Sequence, residues 1–214
     1  MAELAVIYIH GFASSPNSGK AQFFQQKFTD LGIPIQVPDL NQGDFTHLTL
    51  TRQIQQIESI LTPTRTVLIG SSFGGLTAAL LAENHPQISH MILLAPAFGM
   101  IKYWQDKMTP EQLQQWQNQG TLPVYHYGAG KELPLHYDFL VDLRSYDDQK
   151  LARPVPTLII HGTSDDVVPI AVSETYAQTR PWVRLVPVED DHSLKRDLPL
   201  IWQEICTFLE LNPA

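Results

Sequence analysis

The chain has 214 residues, of which 43% are hydrophobic and 17% charged, and its formal net charge is −8 at pH 7. This length and composition indicate a single globular domain, 1–214, with a substantial core, and they exclude an intrinsically disordered chain. The acidic balance, without a cluster of Lys or Arg, argues against nucleic acid and anionic membranes as partners. The one cysteine, Cys206, cannot form an internal disulfide, and the N-terminal apolar run is too short for a signal peptide or a membrane span, so we expect a cytoplasmic protein.

The first part of the sequence predicts two strand–helix pairs. The apolar run at 5–9 lacks polar alternation, which is typical of a strand buried in a parallel sheet. Aromatic and aliphatic residues at helical spacing then predict a helix at 20–31. A short strand at 33–37 and an amphipathic helix at 48–61 follow.

The loop from Gly11 to Lys20 superficially resembles a phosphate-binding loop. Its glycines are further apart than that motif requires, and Ala21 stands where Ser or Thr would bind magnesium. No group of His, Cys or Asp residues has the spacing of a zinc site either. We therefore expect no nucleotide, metal or other cofactor.

The next strand–helix unit carries the most specific motif of the chain. A strand at 66–69 leads into Gly70-Ser71-Ser72-Phe73-Gly74, and a helix rich in small residues follows and stops at Asn84. Gly-x-Ser-x-Gly between a strand and a helix is the pattern of a nucleophile elbow, a tight turn that exposes the serine hydroxyl. A simple capping role for the serines would leave the two glycines unexplained. Ser72 is therefore the candidate nucleophile.

Residues 99–153 interrupt the alternation after a strand at 91–95, and this stretch is too long for a plain connection. Thr109 and Gln112 have capping-box spacing, with Pro110 at the first helical position, which predicts a helix that ends at Gly120. A second helix is expected at about 137–149. We interpret the stretch as a small helical lid in which most aromatic residues form a local core and a few face the substrate.

The remaining strands, at 155–160 and 183–188, are each followed by a candidate partner for the serine, and a helix at 198–211 closes the chain. A serine nucleophile needs a base and an orienting carboxylate, in the chain order Ser, Asp or Glu, His. His192 is the candidate base and Asp165 the candidate acid, with Asp166 as the alternative. Asp191 is interpreted as a helix N-cap.

Two further histidines and two backbone amides complete the predicted site. His10 and His161 are interpreted as structural residues that brace their loops. An oxyanion hole needs N–H donors aimed at the developing negative charge. The amide of Phe73 and that of Phe12, in the loop after the first strand, are the candidates.

Four motifs in this order resemble the α/β-hydrolase superfamily over nearly the whole chain: Ile9-His10-Gly11-Phe12, Gly70-Ser71-Ser72-Phe73-Gly74, His161-Gly162-Thr163-Ser164-Asp165 and Asp191-His192. The opening Tyr8-Ile9-His10-Gly11-Phe12-Ala13-Ser14-Ser15-Pro16 resembles the small bacterial YqiA-like esterases. The lid pattern and Asp191-His192-Ser193-Leu194 are also similar to acyl-protein thioesterases and acyl-glucuronide esterases. Because only about four residues precede the first strand, the mostly parallel sheet should be a reduced one of about six strands, flanked by helices.

The resemblance implies a serine hydrolase that cleaves carboxylic ester or thioester bonds of small acyl substrates through an acyl-enzyme. Two alternatives remain open at this point. One is a peptidase or amidase of the same fold, and the other is a binding protein that keeps the fold without catalysis. The sequence predicts neither the natural substrate nor the oligomeric state.

Overall fold

The computed structural model describes residues 4–212. In chain order its strands are β1 (Leu4–Ile9), β2 (Ile35–Gln36), β3 (Arg65–Ser71), β4 (Ile88–Leu94), β5 (Thr121–His126), β6 (Lys131–His136), β7 (Thr157–Gly162) and β8 (Val183–Val188). Its helices are α1 (Gly19–Asp30), α2 (Leu50–Ile60), α3 (Phe73–Asn84), α4 (Met100–Lys107), α5 (Pro110–Gln119), α6 (Asp138–Leu143), α7 (Ala171–Gln178) and α8 (Leu198–Leu209).

Six strands form one parallel sheet in the order β2-β1-β3-β4-β7-β8. The predicted parallel sheet of six strands is therefore confirmed, although the sequence analysis missed α7. The chain moves from β1 to one edge of the sheet and then returns to build the other side from β3. Ligands of open parallel sheets bind at the carboxyl ends of the strands where the order reverses, which here lies between β1 and β3.

Two apolar layers cover the two faces of this sheet. In β1, Ile7 and Ile9 face one layer, which includes α2 and α3, while Val6 and Tyr8 face the other, which includes α1 and α8. Both faces of the strand are buried, which explains why its sequence shows no polar alternation. Cys206 of α8 is buried in the second layer, as expected. None of the helices in residues 4–212 is long and apolar enough to cross a membrane.

The stretch at 99–153 holds α4, α5, an antiparallel hairpin of β5 and β6, and α6. The predicted capping box of α5 is present, because Thr109 and Gln112 each bind the backbone N–H of the other. The stretch contains helices, as expected, and also this hairpin, which the sequence analysis missed. Pro123 and Pro134 face each other across the hairpin, and its strands tolerate residues without an N–H because each has a free edge.

The second predicted helix of this stretch is shorter than expected. It ends at Leu143 instead of 149, and Asp147 caps a separate 3₁₀ turn at Asp148–Lys150 by accepting the N–H of Gln149. This turn returns the chain to the start of the stretch, where the Gly99 N–H donates to Asp148 Oδ2 at 2.6 Å. α6 is fixed to α2, because Asp142 accepts hydrogen bonds from the backbone N–H and the hydroxyl of Thr51.

Candidate active site

Ser72 lies in a strained turn between β3 and α3. Its φ of 52° and ψ of −115° are unfavourable for a residue with a Cβ, and such strain persists only where the surroundings hold it. The Ser72 N–H donates to Leu94 O at 2.8 Å, which fixes the turn to β4. A Cβ on Gly74 would overlap the carbonyl oxygen of Ile9, and one on Gly70 would overlap that of Gly74. The two glycines therefore allow the close approach that a nucleophile elbow requires.

The structure brings together three side chains that the sequence analysis singled out. The Ser72 hydroxyl lies 3.0 Å from His192 Nε2, and His192 Nδ1 donates to Asp165 Oδ2 at 2.7 Å. Because Nδ1 carries the hydrogen, Nε2 is the acceptor of the Ser72 O–H. The Asp165 side chain is fully buried, whereas 22% of the His192 side chain is exposed. This chain of hydrogen bonds can pass a proton from Ser72 to His192 beside a buried carboxylate.

Asp165 is held as a carboxylate by several donors. The backbone N–H groups of Val167 and Val168 donate to Oδ1 at 2.9 and 2.8 Å. Burial alone would raise the pKa of Asp165, but the hydrogen bonds from His161, His192 and Val168 outweigh it and hold the pKa well below its usual range. The alternative acid, Asp166, is exposed, and His192 Nδ1 binds its neighbour.

The loop that carries His192 is organised by a residue that the sequence analysis missed. Asp190 is buried and accepts the N–H groups of Asp191 and Arg196 at 2.8 and 2.9 Å. In the acidic run at 189–191, the signal available in the sequence was that Asp190 comes two residues after the end of β8. The expected N-cap role of Asp191 was wrong, because α8 begins later and Asp197 caps it.

Asp191 instead stabilises a local turn next to the histidine. Its Oδ1 accepts the N–H and the hydroxyl of Ser193 at 2.8 and 2.6 Å. Such a turn competes with helix formation, because a short polar side chain satisfies the nearby backbone. His192 therefore sits between two residues that are fixed to each other.

The loop after β1 lies directly against the serine. A Cβ on Gly11 would be 3.5 Å from Ser72 Cβ, so the backbone of this loop passes beside Ser72. Phe12 follows in this loop. On the other side, Phe73 is the first residue of α3, where an N–H has no acceptor within the helix. The two predicted oxyanion donors thus belong to segments that flank Ser72.

His10 braces the loop after β1, as interpreted from the sequence. Its Nε2 accepts the N–H of Leu40 at 3.1 Å, and its Nδ1 donates to Gly11 O at 3.0 Å. Burial lowers the pKa of His10, which favours the neutral ring that this pair of bonds requires. The ring is therefore a fixed support for the loop.

Aromatic residues of the 99–153 stretch pack on the rings of Phe12 and Phe73. The ring of Phe12 lies 5.2 Å from that of Phe139 and 6.0 Å from that of Trp104, measured between centroids. The ring of Phe73 also packs on Phe139, at 5.6 Å. The indole Nε1 of Trp104 is buried without a hydrogen-bond partner, whereas Nε1 of the neighbouring Trp116 donates to Leu135 O at 3.0 Å. Within the described residues, no cluster of three or more His, Cys, Asp or Glu side chains could hold a metal ion.

Solved structures with a similar fold include proteins described as hydrolases and as a lipase. Est1E from Butyrivibrio proteoclasticus, in a complex with ferulic acid, has a TM-score of 0.82 and 21% identity, over 96% of this chain and 88% of that one. Alpha/beta hydrolase domain-containing protein 10 from mouse has a TM-score of 0.77 and 22% identity, over 97% and 88% of the two chains. The monoacylglycerol lipase of Paleococcus ferrophilus has a TM-score of 0.79 and 16% identity, over 97% and 95%.

Because the identities are low, these likenesses establish the fold alone. A comparison with curated proteins finds no match. A family model described as "Uncharacterised protein family (UPF0227)" matches residues 5–210, and it confirms the resemblance to YqiA-like proteins. The chain therefore belongs to this family and has the α/β-hydrolase fold.

Proposed function

We propose that the protein is a serine hydrolase that cleaves carboxylic ester or thioester bonds of small acyl substrates. The observation that carries this proposal is the chain of hydrogen bonds from Ser72 through His192 to the buried Asp165. A binding role alone would need none of these three groups in line. The elbow strain at Ser72 is also of the kind that clusters at active sites.

In the proposed reaction, Ser72 Oγ attacks the acyl carbonyl carbon while His192 Nε2 accepts the hydroxyl proton. The tetrahedral oxyanion is held by the N–H groups of Phe12 and Phe73. His192 then gives its proton to the leaving alcohol or thiol, and the acyl group stays on Ser72 as an ester. A water molecule activated by His192 attacks this acyl-enzyme and releases the carboxylic acid. Asp165 orients the imidazole and stabilises its charged form throughout.

The stretch at 99–153 is assigned as the lid over this site. Trp104 and Phe139 cover the rings of the two residues that supply the oxyanion donors, so the acyl or aryl group would meet an apolar, aromatic surface. Among the similar structures, Est1E binds ferulic acid, an aromatic acid, and another is a monoacylglycerol lipase, which fits hydrolysis of carboxylic esters. We therefore expect a preference for acyl or aryl groups of modest size.

The test is a series of p-nitrophenyl esters from acetate to palmitate, with an acyl-CoA thioester and a p-nitroanilide beside it. Ser72→Ala should lower kcat by about 10⁴- to 10⁶-fold. Ser71→Ala, which removes the adjacent buried hydroxyl, is the matched control and should stay close to wild type. A loss of kcat below about tenfold in Ser72→Ala would refute the assignment of Ser72 as the nucleophile.

The same experiment separates the alternatives. Anilide cleavage at a rate comparable to ester cleavage would indicate a peptidase or amidase. Absence of turnover on every substrate, together with failure of a fluorophosphonate probe to label Ser72, would indicate a binding protein. The acyl length that gives the highest kcat/KM would indicate how much space the lid leaves for the acyl group.

A further inference from the structure

A second histidine contacts the same carboxylate oxygen of Asp165 as His192 does. His161 is the fifth residue of β7, and its side chain is fully buried. Its Nε2 lies 3.1 Å from Asp165 Oδ2 and 2.8 Å from Val168 O. Its Nδ1 lies 2.8 Å from the hydroxyl of Ser173, a buried residue of α7.

These neighbours determine which ring nitrogen of His161 carries the hydrogen. Nε2 faces a carboxylate and a carbonyl, which are both acceptors, so it must be the donor. Nδ1 is then free to accept the hydroxyl hydrogen of Ser173. The two acceptors at Nε2 thus select the tautomer, and the Ser173 hydroxyl, which can donate or accept, fixes the other side of the ring.

We propose that His161 is a positioning residue for the reaction: its Nε2–H, which donates to Val168 O at 2.8 Å, also faces Asp165 Oδ2 at 3.1 Å and limits how strongly this carboxylate holds the proton on His192. This inference rests on the proposed function, because it assigns a role within the same catalytic chain. The chain then reads Ser72, His192, Asp165, His161 and Ser173.

The two oxygens of the Asp165 carboxylate contact different groups. Oδ1 receives the two backbone N–H groups of Val167 and Val168, and Oδ2 receives the two imidazoles. A carboxylate whose charge is spread over more donors is a weaker partner for each of them. With His161 present, Asp165 still orients His192, but His192 gives up its imidazole proton more readily.

Other charged groups lie near this chain and remain in the variants proposed below. Lys20 of α1 interacts electrostatically with Asp165 and with Asp190, Asp191 and Lys195 of the His192 loop. Asp191 also interacts with Asp165 and with Arg196. From α7, the contact to His161 comes from the uncharged Ser173. Since none of these groups changes, a shift in pH dependence would report the loss of the His161 donor.

The test is the pH profile of kcat/KM for a p-nitrophenyl ester between about pH 4 and 9, whose acidic limb reports protonation of the base in the free enzyme. His161→Leu should move this limb to higher pH by about half a unit to one unit, because Asp165 then holds the His192 proton more strongly. His161→Gln, whose amide can donate to Asp165, should return the limb close to wild type. His85→Leu, at the opposite end of α3 from Ser72 and bonded to Glu58, is the matched control and should not move it.

A purely structural role would lower kcat/KM at every pH and leave the acidic limb in place, and that result in His161→Leu would overturn the inference. If His161→Leu does not fold, Ser173→Ala should give a smaller shift in the same direction, and an unmoved limb there would count equally against it. Nuclear magnetic resonance of the ring nitrogens in the wild-type protein gives an independent reading. It should show His161 as the Nε2–H tautomer, and an Nδ1–H tautomer would contradict the proposal. Wild-type activity that persists in Ser72→Ala would instead refute the proposed function.

Discussion

His192 binds Asp165 and not the adjacent Asp166, although the sequence offers both carboxylates at the same loop. Asp165 Oδ2 lies 2.7 Å from His192 Nδ1, and its other oxygen is occupied by two backbone N–H groups. Asp166 is exposed. The turn that follows β7 therefore selects one of two identical side chains by burying it.

Asp165→Asn should lower kcat by about 10⁴-fold, because the amide no longer fixes the tautomer in which His192 Nε2 accepts the serine proton. Asp166→Asn removes the same charge from the same loop and should change kcat by less than about twofold. Steady-state kinetics on one ester would compare the two variants. A larger loss in Asp166→Asn would mean that the acid has been wrongly assigned.

Gly74→Ala should destabilise the protein by about 3 kcal/mol or more, or prevent folding. A methyl group at this position of α3 would overlap the carbonyl of Ile9 at the end of β1. Gly19→Ala, in the first turn of α1, meets nothing within 4 Å and should stabilise by about 0.5–1 kcal/mol. Urea unfolding measures both changes. Equal and small effects would show that the elbow can relax away from β1.

The two neighbouring tryptophans should respond differently to replacement by phenylalanine. Trp116→Phe leaves the carbonyl of Leu135 without its indole donor and should cost about 1–3 kcal/mol beyond the loss of volume. Trp104→Phe loses a similar volume but no hydrogen bond, because its Nε1 has no partner. Thermal unfolding of the two variants should therefore place Trp116→Phe clearly lower. Matching transitions would argue against the difference in hydrogen bonding.

The low pKa of Asp165 should make the stability of the protein sensitive to acid. A carboxyl group whose folded-state pKa is depressed contributes stability above its unfolded value of about 3.9, and that contribution is lost as the pH falls further. The free energy of unfolding of wild type and Asp165→Asn should thus converge as the pH is lowered from about 5 toward 3. A constant gap between wild type and Asp165→Asn would contradict the shift.

The sequence predicted the strands of the central sheet because both of its faces are buried, and continuous apolar runs such as that of β1 have few other interpretations. It also predicted the three residues of the hydrogen-bonded chain, since Ser72, Asp165 and His192 each follow a parallel strand. The choice between Asp165 and Asp166 agrees with the observed contacts. Strand-end placement carries this information because all carboxyl ends of a parallel sheet meet at one edge.

The stretch at 99–153 was harder to predict for identifiable reasons. Pro123 and Pro134 lower the strand propensity of their segments, although a two-stranded hairpin has only edge strands and accepts them. The turn at 127–130, with Gly130 at a φ of 65°, was the available signal for this hairpin. Contacts such as those of Trp104 with Phe12 and Phe139 depend on side-chain directions that no pattern along the chain contains.

The hydrogen bond between Gly99 and Asp148 joins two points that are 49 positions apart, at the edge of the sheet beside the elbow. Because the stretch between them leaves and returns at one place, its length and content are uncoupled from the register of β4 and β7. A segment from another member of the fold could be grafted between these two residues while Ser72, Asp165 and His192 keep their positions. The reacting groups and the surface that selects the substrate would then be two separately replaceable parts of the chain.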